Sequence, residues 1–194
     1  MTALKHVYIF LFDDYSDWEI AYLMPELFKS KKIRLKTFTV DGISIVSMGG
    51  LKITPDLSLQ QVKSEEVSVL VLPGGTAWGE KRINGIDKLV EELNTTGKTI
   101  AAICDATIYL GEKGYLDDIS HTSNDLDYLQ SSAPDYKGGK NYKSALAVSD
   151  KNFITANGIA PIEFAVEIFR KIKLYSEADI QKWFQLFKNG IWTD

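Results

Sequence analysis

Cysteine and histidine are scarce in this chain. Its 194 residues include a single cysteine, Cys104, and two histidines, His6 and His121. A lone cysteine excludes a disulfide within the chain, and this small set does not suit a structural zinc site. We therefore expect no metal centre.

Long apolar runs and an excess of basic residues are also missing. No stretch approaches the roughly 20 apolar residues of a membrane span, and the run at residues 7–12 is too short for a signal-peptide core. The 22 lysines and arginines stand against 26 aspartates and glutamates, which gives a net charge of −4 without a basic stripe. We therefore expect no membrane partner, no nucleic-acid partner and a location in the reducing cytoplasm.

The chain does contain a regular alternation of apolar strands and amphipathic helices. Strand patterns cover residues 6–12, 33–40, 67–72, 99–103, 145–148 and 153–155, with a hairpin within 43–53. Helix patterns cover residues 16–28, 57–62, 84–93, 161–172 and 176–190, a segment after Cys104 and a short one near 126–129. This alternation predicts an α/β fold, a mostly parallel sheet with helices on both faces, in a single domain over residues 1–194.

Cys104 lies where a buried strand changes into a helix. The apolar residues 100–103 precede it, and helical spacing begins at Ala106. Unpaired backbone N–H groups and the positive end of a helix dipole favour an anion at such a turn, so we expect the thiol to ionise more easily than a free one. The geometry resembles a nucleophile elbow. The alternative is that Cys104 is a small, inert core residue.

A second strand end carries the sequence Pro73-Gly74-Gly75. Glycines there let the backbone approach a ligand closely, and ligands bind at such strand ends in open α/β sheets. The alternative is an ordinary turn.

Four segments together resemble the ThiJ/PfpI family of the class I glutamine amidotransferase-like superfamily. They are residues 17–21 (DWEIA), 72–75 (LPGG), 100–106 (IAAICDA) with 114–116 (GYL), and 154–158 (ITANG) with 163–165 (EFA). The resemblance implies a flavodoxin-like sandwich, a chemistry without a cofactor and a homodimer. The aromatic stripe of the last helix, around Trp183, is then either core or dimer interface.

By position, the resemblance makes Cys104 the elbow cysteine and Glu19 the carboxylic acid that hydrogen-bonds to it. Gly74, Gly75 and Asp105 match the oxyanion or sulfinate pocket, in which backbone N–H groups are the donors. An ionised Glu19 would repel a thiolate, so this pairing requires Glu19 to be protonated. Without the resemblance, Glu19 could simply be a first-turn helix glutamate that the dipole favours.

The chain also departs from the family pattern. Asp105 stands where protease-like members have a histidine, and Asn124 occupies the place of a second histidine that many members share. His121 lies three residues earlier, which in an extended chain is about 10 Å away and on the other face. His121 is therefore either a general base or a structural residue, and Asp105 is either catalytic or a helix-start residue. No histidine follows His121, which excludes a glutaminase of the superfamily's type.

Two functions remain open on these residues. One is a cofactor-free cysteine enzyme, a hydrolase or amidase or an enzyme that removes reactive carbonyls, acting on a small-molecule substrate. The other is a redox-responsive or chaperone-like stress protein, in which an oxidant converts Cys104 to a sulfinic acid. We favour the cysteine enzyme slightly over the redox-responsive or chaperone-like protein.

Overall fold

The computed structural model describes residues 4–192, so residues 1–3 and 193–194 of the predicted domain lie outside the described residues. The strands are β1 (Lys5–Phe10), β2 (Ile33–Thr39), β3 (Ile45–Val46), β4 (Lys52–Ile53), β5 (Leu57–Ser58), β6 (Val69–Leu72), β7 (Thr99–Ile103), β8 (Ala147–Asp150) and β9 (Phe153–Ala156). The α-helices are α1 (Leu23–Lys29), α2 (Asp87–Thr95), α3 (Ala106–Glu112), α4 (Leu126–Ser132), α5 (Pro161–Ile172) and α6 (Glu177–Asn189). Short 3₁₀ turns cover Asp17–Glu19, Leu59–Gln61, Ser64–Glu66 and Gly139–Asn141.

Seven of these strands form one twisted sheet in the order β5-β2-β1-β6-β7-β9-β8, and β3 pairs with β4 in a separate hairpin. All neighbours in the large sheet run parallel except β8, which is antiparallel to β9. From β1 the chain continues outward to β2, whereas from β6 it continues the other way to β7. The gap between β1 and β6 is therefore the topological switch point, where α/β sheets hold their ligands.

The central strands divide their side chains between two cores. In β7, Ile100 and Ala102 pack on the face covered by α2, α3 and α4, whereas Ala101 and Ile103 pack on the face covered by α1, α5 and α6. Successive strand side chains point to opposite faces, so a strand that is apolar throughout can be buried on both sides. The predicted fold class, a mostly parallel sheet with helices on both faces, is confirmed.

The predicted helix over residues 16–28 is the clearest difference from the sequence reading. The chain forms a 3₁₀ turn over Asp17–Glu19 and then a separate α1 that begins at Leu23. Pro25 explains the break, because a proline is tolerated in the first turn of a helix but not in its interior. The break carries Glu19 away from α1 and towards the sheet.

Other boundaries shift by a few residues. The segment predicted as a helix over 57–62 begins with the short strand β5, and only Leu59–Gln61 is helical. Ser58 and Gln61 form a capping box at that turn, which explains the helical signal in the sequence. The strand expected at 145–148 begins two residues later, as β8.

Candidate functional site

Cys104 occupies a strained turn between β7 and α3. Its φ is +57°, in the left-handed region that residues other than glycine rarely adopt. The turn is held on both sides, because the Cys104 N–H donates to the Ala156 carbonyl at 2.9 Å and the Cys104 carbonyl accepts from the Thr107 hydroxyl at 2.6 Å. Such strain persists only where the surrounding structure imposes it, and it directs the sulfur out of the carboxyl edge of the sheet.

Glu19 lies beside this turn and is completely buried. Its Oε2 accepts a hydrogen bond of 2.6 Å from the Gly74 N–H. Among residues 4–192, its other oxygen, Oε1, has no hydrogen-bond partner of ordinary geometry. The carboxyl group is thus anchored through one oxygen, and the side chains of Cys104 and Ser16 also stabilise its charged form.

Gly74 lies against both the Glu19 carboxyl group and Cys104, and it has to be a glycine. A Cβ at this position would lie 2.6 Å from the Cys104 Cβ and 2.8 Å from the Glu19 Oε2, which is closer than real contacts. The sequence reading placed Gly74 in the oxyanion pocket. Its N–H is instead used to hold Glu19, so Gly74 builds the pair and is not an oxyanion donor.

Burial raises the pKa of Glu19 to about 7. The Gly74 N–H and the Cys104 thiol oppose this effect by stabilising the charged carboxylate, and the negative charge of Asp105 adds to it. At neutral pH Glu19 is therefore present in both forms, and the protonated form that the cysteine pairing requires is accessible.

The Cys104 thiol is harder to ionise than the sequence predicts. Burial, followed by the negative charge of Glu19, raises the pKa of Cys104 to about 12, and the hydrogen bond from Asn124 only partly offsets this. The expected low thiol pKa was wrong for the resting site, and Cys104 needs a proton acceptor in order to react.

Two backbone N–H groups of the predicted anion pocket are without a hydrogen-bond acceptor among residues 4–192. Gly75 has a φ of +142°, and a Cβ there would lie 2.7 Å from the Asp14 carbonyl oxygen. Within the described part of the chain, the N–H groups of Gly75 and Asp105 have no acceptor in hydrogen-bond range. Both remain available for an oxyanion.

Asn124 contacts the sulfur directly. Its side-chain amide donates to the Cys104 Sγ at 3.3 Å and to the Asp105 Oδ1 at 3.0 Å, and its own oxygen accepts from the Gly158 N–H at 2.9 Å. Asn157 holds the Asn124 backbone through a 2.7 Å hydrogen bond. Asn124 thus stands at the sulfur as the resemblance implied, but an amide cannot carry a proton in place of the histidine.

His121 is placed elsewhere. It is completely buried, with Nδ1 2.8 Å from the Ile119 carbonyl and Nε2 2.5 Å from the Tyr136 hydroxyl. Burial lowers its pKa, so the ring is neutral at physiological pH. With both nitrogens engaged, His121 fits the structural alternative and not that of a general base for Cys104.

Sequence reasoning missed two site residues, Gly158 and Tyr128. A Cβ on Gly158 would lie only 2.7 Å from the Cys104 Sγ, so this glycine makes room for the sulfur. The rule that selected Gly74, a glycine just beyond a buried strand, applies equally to Gly158 and could have found it. Tyr128 donates its hydroxyl to the Asp105 Oδ1 at 3.2 Å, and nothing in its sequence context indicates this.

A polar cavity of about 540 Å³ opens beside Asn124. It is lined by Ser123, Asn124, Asp125, Leu126, Tyr142, Ser144, Ala145, Leu146 and Asn157. Its size and its hydrogen-bonding groups, of which Asp125 supplies the one carboxylate, suit a small polar molecule. Residues 4–192 contain no group of three histidine, cysteine or acidic side chains arranged for a metal ion.

A sequence model of the DJ-1/PfpI family matches residues 5–171, which includes every site residue described above. The chain belongs to the DJ-1/PfpI family. The family resemblance that the four sequence segments indicated is therefore confirmed.

Proteins similar to this chain include one named as a protease, a solved structure with the same fold and one named after DJ-1. The "Uncharacterized protease YoaZ" of Bacillus subtilis is 43% identical over 192 residues, with 95% of this chain and 91% of that protein covered. The solved thiJ/pfpI family protein of Bacillus anthracis is 38% identical with a TM-score of 0.87, over 97% of this chain and 92% of that one. "Protein dj-1beta" of Drosophila melanogaster is 34% identical over 137 residues, 68% of this chain and 70% of that protein.

Across residues 4–192, every helix is too short or too polar to cross a lipid bilayer.

Proposed function

We propose that this protein is a cysteine-dependent enzyme that attacks the carbonyl carbon of a small electrophile, either a reactive aldehyde or an amide or ester. One observation carries the proposal. The buried Glu19 carboxyl group, with a pKa of about 7, interacts with the thiol of a cysteine held in a strained elbow. A proton acceptor whose pKa is near the working pH suits general base catalysis.

The geometry supplies each part of the attack. Glu19 in its carboxylate form accepts the thiol proton while the Cys104 sulfur forms a bond to the carbonyl carbon. The electron pair of the carbonyl π bond moves to its oxygen, and the N–H groups of Gly75 and Asp105 stabilise the negative charge there. The raised thiol pKa then prevents unproductive reaction, because the sulfur becomes nucleophilic only as Glu19 takes its proton.

The name of the relative YoaZ supports the hydrolase branch of this proposal, since it calls that protein a protease. The arrangement of this site favours small substrates over folded proteins. Cys104 lies between Gly74, Asn124 and Gly158 and is only partly exposed. A cavity sized for a small molecule opens beside Asn124.

The test measures the loss of a small α-oxoaldehyde and of a p-nitrophenyl ester, with covalent Cys104 adducts followed by intact mass. We expect turnover in the wild type, none in Cys104→Ser, and a loss of about 100-fold or more in Glu19→Gln, because general bases contribute at least that much. Glu26→Gln is the matched control: Glu26 is another buried glutamate, but it bonds to Lys29 and Tyr175. Turnover that survives Cys104→Ser would refute the proposal.

A redox role is the second candidate, and the free N–H groups favour it. The amides of Gly75 and Asp105 and the Asn124 side chain could donate to the oxygens of a Cys104 sulfinate, as they would to an oxyanion. Hydrogen peroxide at low micromolar concentration would then add two oxygens to Cys104, seen by intact mass, without turnover of either substrate. Oxidation only at millimolar peroxide would exclude this role.

We also propose that the protein works as a homodimer in the cytoplasm. Trp18 and Ile159, beside two site residues, are 46% and 78% exposed, and Leu51 of the β3–β4 hairpin is 57% exposed. Asp17 ties that hairpin to the site by accepting hydrogen bonds from Ser47 and Gly49. Exposed apolar side chains on three segments around the site favour a second copy of the chain as their cover. Sedimentation equilibrium should show a dimer that Trp18→Asp dissociates, and a wild-type monomer would contradict this. Cell fractionation tests the location.

A further inference from the structure

The Asp105 carboxyl group is fixed beside the cysteine and not at the start of α3. In the described α3, it accepts no capping hydrogen bond from the backbone. Its Oδ1 instead accepts from the Tyr128 hydroxyl at 3.2 Å, from Asn124 Nδ2 at 3.0 Å and from the Cys104 thiol at 3.9 Å. Burial raises the pKa of Asp105, and these three hydrogen bonds oppose the increase by stabilising the charged form. Asp105 is therefore a carboxylate at neutral pH.

The second oxygen of this carboxylate is unused. Among residues 4–192, Oδ2 of Asp105 accepts no hydrogen bond, and it is not one of the buried oxygens that lack a partner, so it reaches the solvent. Oδ1 lies 3.9 Å from the Cys104 Sγ, and the two oxygens of a carboxylate are about 2.2 Å apart, so Oδ2 is within roughly 6 Å of the sulfur. A charged acceptor thus lies within reach of a small molecule bound to Cys104.

The negative charge at this opening is not balanced by basic side chains. Within the described residues, no lysine or arginine forms an ion pair with Glu19, Asp105 or Asp125. The cavity beside Asn124 has Asp125 in its lining, and its lining contains no lysine or arginine. A substrate that enters therefore meets a negative potential, which attracts a cation and repels an anion.

The charge of Asp105 hinders the cysteine when the site is empty. It raises the pKa of Cys104 and also that of Glu19, so it opposes ionisation of the thiol. A positive group of the substrate beside Asp105 would neutralise this charge and make the thiol easier to ionise. An unpaired carboxylate at this position is thus a disadvantage with a neutral substrate and an advantage with a cationic one.

We propose that Asp105 is the specificity-determining residue of this site and selects carbonyl compounds that carry a positive charge next to the carbonyl group. The inference rests on the proposed function. An ammonium nitrogen on the carbon next to the carbonyl lies about 2.5 Å from the carbonyl carbon. When Cys104 attacks that carbon, Oδ2 of Asp105 is close enough to pair with the ammonium group. Tyr128 and Asn124 hold the carboxylate in place. The substrate class is therefore amino aldehydes, or amides and esters of amino acids with a free amino group.

The test compares two aldehydes of the same shape and different charge on the full-length protein. Betaine aldehyde carries a trimethylammonium group, and tert-butylacetaldehyde carries an uncharged tert-butyl group in its place. NMR with both compounds ¹³C-labelled at the aldehyde carbon measures the equilibrium constant for adding the Cys104 thiol, with Cys104→Ser as the blank. In this addition the S–C bond forms and the thiol proton moves to the aldehyde oxygen. Dividing by the same constants for N-acetylcysteine removes the difference in intrinsic reactivity.

We expect the wild type to prefer the cationic aldehyde after this correction, and the preference to fall about fivefold or more in Asp105→Asn. Asp105→Glu, which keeps the charge, should retain most of the preference. Asp127→Asn removes an exposed acid on α4 and is the matched control, so its preference should equal that of the wild type. An Asp105→Asn variant that weakens both adducts equally would show that Asp105 has only a structural role and would overturn the inference.

Measurements at pH 6 and pH 8 separate Asp105 from Glu19. Because the pKa of Glu19 is about 7, Glu19 is mostly protonated at pH 6, whereas Asp105 is charged at both values. A preference already present at pH 6 therefore belongs to Asp105, and one that exists only at pH 8 would assign it to Glu19 and overturn the inference. A wild-type protein that forms no adduct with either aldehyde would instead refute the proposed function itself, so the two failures are distinguishable.

Discussion

The ionisation of one residue, Glu19, makes the stability of the protein depend on pH. Burial raises its pKa in the folded state to about 7 from an ordinary value of 4.5. The folded state therefore binds the proton more tightly, and this stabilisation is complete below pH 4.5 and is lost as the pH rises through 7. A shift of this size corresponds to a loss on the order of 3 kcal/mol.

We expect Glu19→Gln to remove this loss. Urea unfolding at pH 5 and pH 8.5 should show that the wild type loses stability between the two relative to the variant. Glu26→Gln provides the control: burial alone would raise the Glu26 pKa, but hydrogen bonds from Lys29 and Tyr175 lower it overall. Glu26 is therefore ionised in both the folded and the unfolded state over this pH range and adds little pH dependence there. Identical pH profiles for the wild type and Glu19→Gln would show that Glu19 is ionised in the fold.

Gly158 is the second residue with a specific consequence. An alanine Cβ would press on the Cys104 sulfur at 2.7 Å and on the Asn124 Oδ1 at 3.2 Å. We expect Gly158→Ala to reduce alkylation of Cys104 by at least about tenfold and to destabilise the protein by about 1–3 kcal/mol, as overpacking does. Gly79→Ala is the control, because its nearest neighbour is 3.8 Å away. Alkylation at the wild-type rate would mean that the site is more open than described.

At the scale of single elements, α4 carries Tyr128 to the opening of the site. Asp125 caps this helix and accepts hydrogen bonds from the N–H groups of Asp127 and Tyr128. Ser176 caps α6 in a similar way through the Asp179 N–H.

Removing either cap should cost about 1 kcal/mol, measured by urea unfolding of Asp125→Ala and Ser176→Ala. Only Asp125→Ala should also change the chemistry, by lowering the preference of Cys104 for the cationic aldehyde, because it loosens the helix whose Tyr128 holds Asp105. An equal effect of both variants on the aldehyde reaction would show that α4 has no special role.

The helices and strands also show how much of the structure can be predicted from the sequence. The buried strands and the turn at Cys104 follow from local apolar patterns, and Gly75 could be placed because it follows a buried strand. Glu19 could be placed only through the family resemblance, because its local pattern also fits an ordinary glutamate in the first turn of a helix. The break before α1 was missed because the helical pattern of residues 16–28 outweighed Pro25. The thiol pKa was wrong because burial comes from Gly74, Asn124 and Gly158, which reach Cys104 from distant segments.

At the scale of the whole molecule, stability comes from two cores on either side of one sheet. Phe169 of α5 is completely buried in one of them, whereas Phe28 of α1 is 83% exposed. Phe169→Ala should cost about 3–5 kcal/mol, as large cavities in a core do, and Phe28→Ala should change stability by less than about 0.5 kcal/mol. Unfolding in urea compares the two. A large cost at Phe28 would show that a partner covers it.

The order of strands in the sheet has one more consequence, for the time course of folding. The site joins residues that follow β1, β6, β7 and β9, and parallel pairings between such remote segments form slowly because long loops must close first. A chain emerging from the ribosome therefore holds Cys104 as an ordinary accessible thiol until β9 has been made and docked. In a refolding experiment, the moment at which this sulfur becomes protected would report that the last strand has arrived.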